Sequence, residues 1–436
     1  MISMMKNRII VVAFFFLIAF SFLGLNYGFS LYILLCVVNG YISIKNFFSF
    51  PDEKYTLHKL VNLFILVFFI AANALQFVHN AQIISVSTIS FSYYEYLFFQ
   101  LIVLLILILY NYSYIYFRSK IHIKGYHEVK TTVKIKPLLV LSIISFTFVI
   151  ITHIQNPISL LVRGGGEDFG VGGYDVGISF GGPMQLIIDK FVRPIPLCCY
   201  IIAKLTNIDK KYRKFLFIIM SLSIFPTSLA RNATAMYWLS VLLLNVKVFE
   251  KRGVFVITML LGIFIIFPVI DSFRHFSGSI NFSNIGLDYL VTMHFDSSQM
   301  FMAIIQQYYV TYGLQLLGVL FFFVPRSIWP SKPIGSGHTF AIDNGALFAN
   351  VSMPYFGEGF INFGYIGIII FTLFLSYITV KCDKIYWNTK QYLFSGYYYL
   401  LLGAIFFILR GDLLSSFAYT TGGILSYSFV KRVVIK

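Results

Sequence analysis

Charged residues and cysteines are scarce in this sequence. Asp, Glu, Lys and Arg make up only 11% of the 436 residues, whereas 58% are hydrophobic and 19% are aromatic. A soluble domain carries about 25% charged residues, so this composition excludes a soluble protein. The four cysteines, Cys36, Cys198, Cys199 and Cys382, form no C-x-x-C pair, which argues against a disulfide framework or a zinc site. We predict a polytopic membrane protein.

Nucleotide-binding motifs are also missing. Segment 154–183 holds nine glycines together with Arg163, Glu167, Asp168 and Asp175, yet it fits neither the Walker A pattern nor G-x-G-x-x-G. A flexible lid over a site fits this loop better. The net charge of +16 comes from basic residues that lie mainly in short loops between apolar segments, as the positive-inside rule expects. We therefore predict no nucleic-acid partner and no cofactor.

Long apolar runs dominate what is present. A bilayer core takes about 17 to 25 apolar residues per helix, and runs of this kind, some of them shorter, predict twelve spans. The first is read as an uncleaved helix, because no cleavage site follows it. The predicted spans are 9–25, 29–44, 60–78, 95–117, 137–153, 184–203, 215–230, 235–246, 254–270, 359–380, 393–409 and 413–430.

The fold class that follows is all-α, with one integral membrane domain over residues 1–436 and both termini in the cytoplasm. Two long loops, 154–183 and 271–358, are predicted to lie outside, and the second is expected to carry helices of its own and the site. Within it, 288–312 has helical spacing and is expected to lie along the membrane interface. Segment 313–325 is too short to cross and is interpreted as re-entrant or interfacial, which keeps the basic loop 381–390 inside.

The basic residues divide unevenly between the two faces in this topology. Of the 33 Lys and Arg, eight lie outside or near outer helix ends, and six of those eight are arginine. Arginine binds phosphate or carboxylate bidentately, so this enrichment indicates chemistry with an anion on the outer face. The alternative is that these arginines reach for lipid headgroups. The eight are Arg163, Lys190, Arg193, Arg231, Arg274, Arg326, Lys332 and Arg410.

Two stretches carry a resemblance to a known family. The sequence PRSIWPSKPIGSG, followed by NVSMPYFGEGFINFGYIG, covers Pro325 to Gly367, and LARNATAMYW places Arg231 at a break between two helices. They closely resemble the bacterial O-antigen and capsule repeat-unit polymerases, the Wzy-type oligosaccharide polymerases. Elsewhere only the pattern of spans agrees.

The resemblance implies a glycosyltransferase-C-like membrane enzyme in the bacterial cytoplasmic (inner) membrane, with an extracytoplasmic active site. Such enzymes are similar in transferring a glycan from undecaprenyl diphosphate onto the next lipid-linked repeat unit. The partners implied are that lipid-linked oligosaccharide, membrane lipids, a chain-length regulator and a flippase. The related ligases use arginines and a histidine without a metal, so we predict no metal and no sensitivity to chelators.

This chemistry requires cations for the leaving diphosphate and a base for the attacking hydroxyl. We predict Glu358 and His338 as competing bases, with Asp175 and His275 as further candidates, and Lys332, Asp175 and His275 as substrate-binding residues. The alternatives for Glu358 are a helix cap or a partner for a neighbouring arginine, and the alternative for His338 is a loop hydrogen bond. Arg410 is expected to pair with Asp412. The predicted diphosphate-binding residues are Arg231, Arg326, Arg163 and Arg274, and Arg326 is also counted as catalytic.

Two other functions remain open. An O-antigen ligase would use a lipid A core as acceptor. A flippase or transporter of the lipid-linked oligosaccharide should instead place paired charges inside spans, with broken helices in two matching halves.

Overall fold

The computed structural model describes most of the chain. Helices are the regular secondary structure of the described part, and its one β-type contact is an isolated antiparallel bridge between Val133 and Ile435. The all-α class is therefore confirmed. The described residues are 31–84, 89–123, 132–161, 182–229, 231–251, 253–266, 268–269, 287–346, 348–349, 351–389 and 392–435.

The α-helices of these residues are numbered in chain order. Two of them continue into π-helical turns, α5 through Ile188–Val192 and α9 through Gly262–Ile266. They are α1 (Leu31–Phe47), α2 (Leu57–Val78), α3 (Tyr93–Lys120), α4 (Ile135–Thr152), α5 (Gly182–Ile187), α6 (Ile195–Leu205), α7 (Lys210–Ser223), α8 (Arg231–Asn245), α9 (Val254–Leu261), α10 (Ser297–Gln306), α11 (Leu314–Leu320), α12 (Ser336–Asp343), α13 (Tyr355–Thr389), α14 (Tyr392–Arg410) and α15 (Leu413–Val434).

Five helices in the described part are long and apolar enough to cross a membrane, namely α2, α3, α4, α13 and α14. They indicate a multi-pass membrane protein. The other predicted spans within the described residues correspond to helices that are shorter, interrupted or less apolar, and the predicted span 9–25 lies outside those residues. The total of twelve spans and the glycosyltransferase-C-like fold stay predictions.

At one end of the helix bundle, hydrogen bonds connect segments that are rich in lysine. Lys384, near the end of α13, donates from Nζ to the main-chain oxygens of Arg118 and Ile121 at 2.8 and 2.7 Å. The amide of Lys134, before α4, donates to the carbonyl of Val434 at the end of α15. These contacts bring the ends of α3, α13 and α15 to one side of the bundle, which we call the basic end.

The opposite end joins the predicted outer segments. Arg410, which closes α14, forms an ion pair with Asp296 at 3.4 Å, and the amide of Leu413 donates to the Glu358 carboxylate at 2.9 Å. The Gln306 side chain of α10 donates to the carbonyl of Ser90, before α3, at 3.1 Å. We call this side the loop end, because the described part of loop 271–358 gathers there.

Helix α13 contains a reversal. Phe363 and Gly364 leave the helical region, with φ of −144° and +62°, and the left-handed value suits glycine. Residues eight apart in a straight helix are about 12 Å apart, yet a Cβ on Gly367 would lie 1.8 Å from the carbonyl oxygen of Gly359. Arm 355–362 therefore folds back antiparallel against 365–389, so the predicted span 359–380 is not one continuous helix.

The predicted span 184–203 is also broken. α5 and its π-helical turn end at Val192, and α6 begins at Ile195 after Pro194. Proline lacks the amide hydrogen that a continuing helix needs. Arg193 lies at this break with 7% of its surface exposed.

The interfacial placement of 288–312 is wrong for its helical part. In α10, the residues from Ser297 to Ile304 are all buried, including Phe301 at 0% exposure. Gln299 accepts the amide of Ile83 at 2.8 Å. The helix therefore lies inside the bundle, because its polar side chains have partners there and do not need water.

Segment 313–325 contains only α11, a helix of seven residues. At about 1.5 Å per residue it spans roughly 10 Å, a third of a bilayer core. It is too short to cross, as the sequence indicates, and whether it re-enters the membrane stays a prediction. Phe322, just after α11, packs edge-on against Phe417 of α15, with ring centroids 6.0 Å apart.

Candidate functional site at the loop end

Two cations close the turn that follows α11. The guanidinium of Arg326 donates from Nη1 to the carbonyl of Lys332 at 2.7 Å and from Nη2 to that of Pro333 at 3.4 Å. Lys332 donates from Nζ to the carbonyls of Phe322 and Val324 at 3.0 and 2.7 Å. A helix end leaves carbonyls without amide partners, and the prolines of this turn have no amide hydrogen to donate to them. The two cations do so instead.

Arg326 is exposed and Lys332 is partly exposed. Within the described residues, neither has a carboxylate inside the 4.0 Å of an ion pair. Partial burial lowers the pKa of Lys332, and the positive charge of Arg326 lowers it further. Hydrogen bonds to carbonyls therefore fix the positions of two cations in this turn. Because carbonyls are neutral, the two positive charges remain uncompensated.

Glu358 is buried where three helices meet. Its carboxylate accepts the Ser336 hydroxyl at 2.7 Å and the Leu413 amide at 2.9 Å, and its exposure is 0%. Ser336 begins α12 and Leu413 begins α15. The carboxylate thus joins two helix N-termini, where negative charge is favoured.

Asp412 lies beside Glu358 and repeats this arrangement. It accepts the amide of Leu414 at 2.9 Å as the N-cap of α15, and the amide of Gly337 in α12 at 3.3 Å. Burial raises the pKa of Asp412. A Cβ on Gly335 would lie 2.2 Å from its Oδ2, so glycine is required for this close approach. Two acidic side chains therefore hold α12 against α15.

His338 lies on α12 and is partly buried. It forms no side-chain hydrogen bond to another described residue. His338 lies in the same chain segment as Arg326, Lys332 and Glu358, which runs from the end of α11 into the start of α13. The structure thus brings four of the predicted site residues to the loop end. The roles of Glu358 and His338 as base stay predictions, and the Glu358 contacts are those of a helix cap.

The other predicted residues are not all described. Arg163, Asp175, Arg274 and His275 lie outside the described residues. Arg231 is the first residue of α8, and its side chain is likewise outside the described set.

The expected pairing of Arg410 with Asp412 is wrong. Arg410 donates from Nε to the carbonyl of His294 at 2.9 Å and pairs with Asp296. Asp296 also accepts the amide and the hydroxyl of Ser352. Asp412 is occupied by helix amides, so it is not available to its neighbour in sequence. The sequence reasoning missed Asp412 and Asp296 as organisers of the site, although an Asp directly before an apolar run is a recognisable N-cap signal.

The aromatic side chains of the segment differ in access. Tyr355 and Phe356 are buried, whereas Trp329 is partly exposed and donates from Nε1 to the Ser331 hydroxyl at 3.1 Å. Of these three rings, Trp329 is the one accessible for stacking on a sugar. Among the described residues, no group of three or more His, Cys, Asp or Glu is arranged to hold a metal ion.

Comparison of the chain with protein-family models, with curated proteins and with solved structures found no match.

Proposed function

We propose that the protein polymerises lipid-linked oligosaccharide repeat units on the extracytoplasmic face of a bacterial cytoplasmic membrane. The observation that carries the proposal is the position of Arg326 and Lys332, exposed or partly exposed at the loop end of the bundle. Lysine-rich loops join at the opposite end, and such loops mark the cytoplasmic face in membrane proteins.

The proposed reaction is a glycosyl transfer. A hydroxyl of the acceptor unit attacks the anomeric carbon of the donor glycan, a base takes the hydroxyl proton, and the bond to undecaprenyl diphosphate breaks. The diphosphate leaves with the bonding electron pair, and cations stabilise the charge that develops. Arg326 and Lys332 are assigned to that charge. His338 and Glu358 remain the candidates for the base.

The test is the length of the surface glycan in cells that carry Arg326→Ala. We expect surface glycan that carries a single repeat unit, with a normal level of the variant protein in the membrane. Arg326→Lys should restore chain length only weakly, because one ammonium does not replace the bidentate guanidinium. Ile328→Ala is the matched control, since Ile328 is 75% exposed in the same turn. Long chains in the Ala variant would remove Arg326 from the mechanism.

A transporter of the same lipid-linked oligosaccharide is the second candidate, and one observation favours it. Buried amides connect α1, α2 and α3: Asn39 donates to Gln100 at 2.9 Å, and Gln100 donates to Asn73 at 2.9 Å. Polar groups inside spans mark transport paths in many proteins. These groups are neutral, however, and the described ion pairs, Arg118–Glu53 and Arg410–Asp296, lie at the two ends of the bundle.

Deletion phenotypes separate the candidates. Loss of a polymerase leaves single units on the surface, whereas loss of a transporter removes the glycan and traps intermediates inside. A ligase, the third reading, is recognised by unlinked chains that accumulate on the lipid carrier.

A further inference from the structure

Arg193 is a buried cation at the break between α5 and α6. Its guanidinium donates from Nε to the carbonyl of Ser223 at 2.8 Å and from Nη2 to the hydroxyl of Ser228 at 2.9 Å. Within the described residues, Nη1 has no hydrogen-bond partner and no carboxylate comes within ion-pair distance. A buried guanidinium with no anion in direct contact is costly in a membrane protein, so a contacting anion is expected beside it.

A second cation and an unpartnered hydroxyl accompany Arg193. The ammonium of Lys190 lies 3.2 Å from the ring centroid of Tyr419, and Tyr419 and Tyr237 both lie in the neighbourhood of Arg193. Tyr237 is 1% exposed, and its hydroxyl has no hydrogen-bond partner among the described residues. An unsatisfied buried hydroxyl costs about 1–3 kcal/mol. Asp189 also interacts with Arg193, but it stays outside ion-pair distance.

Arg193 lies partway along the helix bundle, between the basic end and the loop end. α7 and α8 have 14 and 15 residues, which is about 21–22 Å each, against a core of about 30 Å. α8 ends at the basic end, where Asn245 accepts the Tyr200 hydroxyl at 2.7 Å. The far end of α7, at Ser223, contacts Arg193. Arg193 therefore lies below the level of the loop end, at the N-terminus of α6, where the helix dipole also favours an anion.

We propose that Arg193, Lys190 and Tyr237 form a second anion site, which takes a phosphate or diphosphate group. It is separate from the Arg326 turn in sequence, although α15 packs against both through Tyr419 and Phe417. Two cations and a hydroxyl donor match the several acceptor oxygens of such a group. The proposal concerns binding only, so it stands or falls independently of the polymerase assignment.

The experiment measures thermal unfolding of the full chain in detergent during titration with inorganic diphosphate and, separately, with a short polyprenyl diphosphate. Every protein, including the one called wild type here, carries Arg326→Ala, because the first site is also expected to bind diphosphate. A ligand that binds only the folded protein raises its melting temperature. We expect wild type to be stabilised, and Lys190→Gln and Tyr237→Phe each to need at least tenfold more anion. Arg432→Gln, an exposed arginine near the end of α15, is the charge-matched control and should behave as wild type.

Tyr237→Phe also guards against misfolding as an explanation. It removes an unpartnered hydroxyl, so the anion-free protein should melt at the wild-type temperature or above, while its response to anion falls. Stabilisation by both compounds assigns the site to the anion alone, and stabilisation by the polyprenyl compound only assigns it to a lipid carrier. Absence of stabilisation in wild type, or an unchanged response in Tyr237→Phe, would overturn the proposal and leave a carboxylate of the chain itself as the partner of Arg193.

Discussion

At the residue scale, acidic side chains at the loop end serve helix termini. Glu358 and Asp412 accept amide and hydroxyl hydrogens from the starts of α12 and α15, and Glu358 is buried while Asp412 is half-buried. An acid in that position organises the site whether or not it transfers a proton. The two functions of Glu358 can be separated by substitution.

Glu358→Ala should lower the free energy of unfolding by about 2–6 kcal/mol, because two buried donors lose their acceptor at about 1–3 kcal/mol each. Glu358→Gln keeps a carbonyl acceptor and should cost about 1 kcal/mol. Thermal and chemical unfolding of the purified variants in detergent measures both. Glu95→Ala, at the exposed N-terminus of α3, is the control and should cost less than about 1 kcal/mol.

The Gln variant also tests the base. If Glu358 takes the proton, Glu358→Gln should be folded and yet give single-unit glycan. Normal chain length in that variant would leave Glu358 with its capping role, and His338 would become the stronger candidate.

At the element scale, the reversal in α13 depends on close backbone contact. Arm 355–362 meets 365–389 through Gly359 and Gly367, and the Tyr355 hydroxyl donates to the carbonyl of Phe371 at 3.1 Å. This arm carries Glu358, so the hairpin determines where the carboxylate lies.

Gly367→Ala should destabilise the protein by at least about 3 kcal/mol, because its Cβ would overlap a main-chain oxygen that cannot rotate away. Gly262→Ala is the matched control. Nothing lies within 4 Å of a Cβ there, so alanine should be neutral or stabilising by up to about 1 kcal/mol. Equal melting temperatures for the two variants would contradict the hairpin.

The elements differ in how far the sequence could predict them. Hydropathy located the long helices α2, α3 and α4, since burial and bilayer thickness impose the same run length. The break at Arg193 could also be predicted from the sequence, because Pro194 cannot continue a helix. The reversal at Gly364 was not, since a positive φ at one of 31 glycines leaves no sequence mark. The pairing of Asp296 with Arg410 joins residues 114 positions apart, which one sequence cannot reveal.

At the scale of the whole molecule, the two ends of the bundle differ in chemistry. An acid holds a helix N-terminus at both ends, since Asp383 accepts the amides of Leu57 and His58 at the start of α2, just as Glu358 accepts the amide of Leu413. The basic end differs in the lysine-rich segments that meet there, as at Lys384 and Arg118. The orientation proposed in the membrane follows from this difference.

Single cysteines test that orientation. Ile328→Cys, in the exposed turn, should react in intact cells with a membrane-impermeant maleimide, and Lys120→Cys, at the basic end, should react only after lysis. The background is low, because Cys36, Cys198 and Cys199 are buried, and Cys382 can be replaced by serine. The reverse pattern would place the Arg326 turn in the cytosol and exclude the proposed reaction.

The short helices α7 and α8 have a consequence for the surrounding lipid. Each covers about 21–22 Å, some 8 Å less than an ordinary hydrocarbon core of about 30 Å. Under the predicted topology, in which α7 and α8 form spans, acyl chains along this flank would compress, or water would enter the outer leaflet beside Ser223. Phosphate headgroups would then settle deeper on this flank than elsewhere around the protein. A long-chain carrier that diffuses in the bilayer would meet a locally thinned region here, through which its polar end could reach the interior from the side.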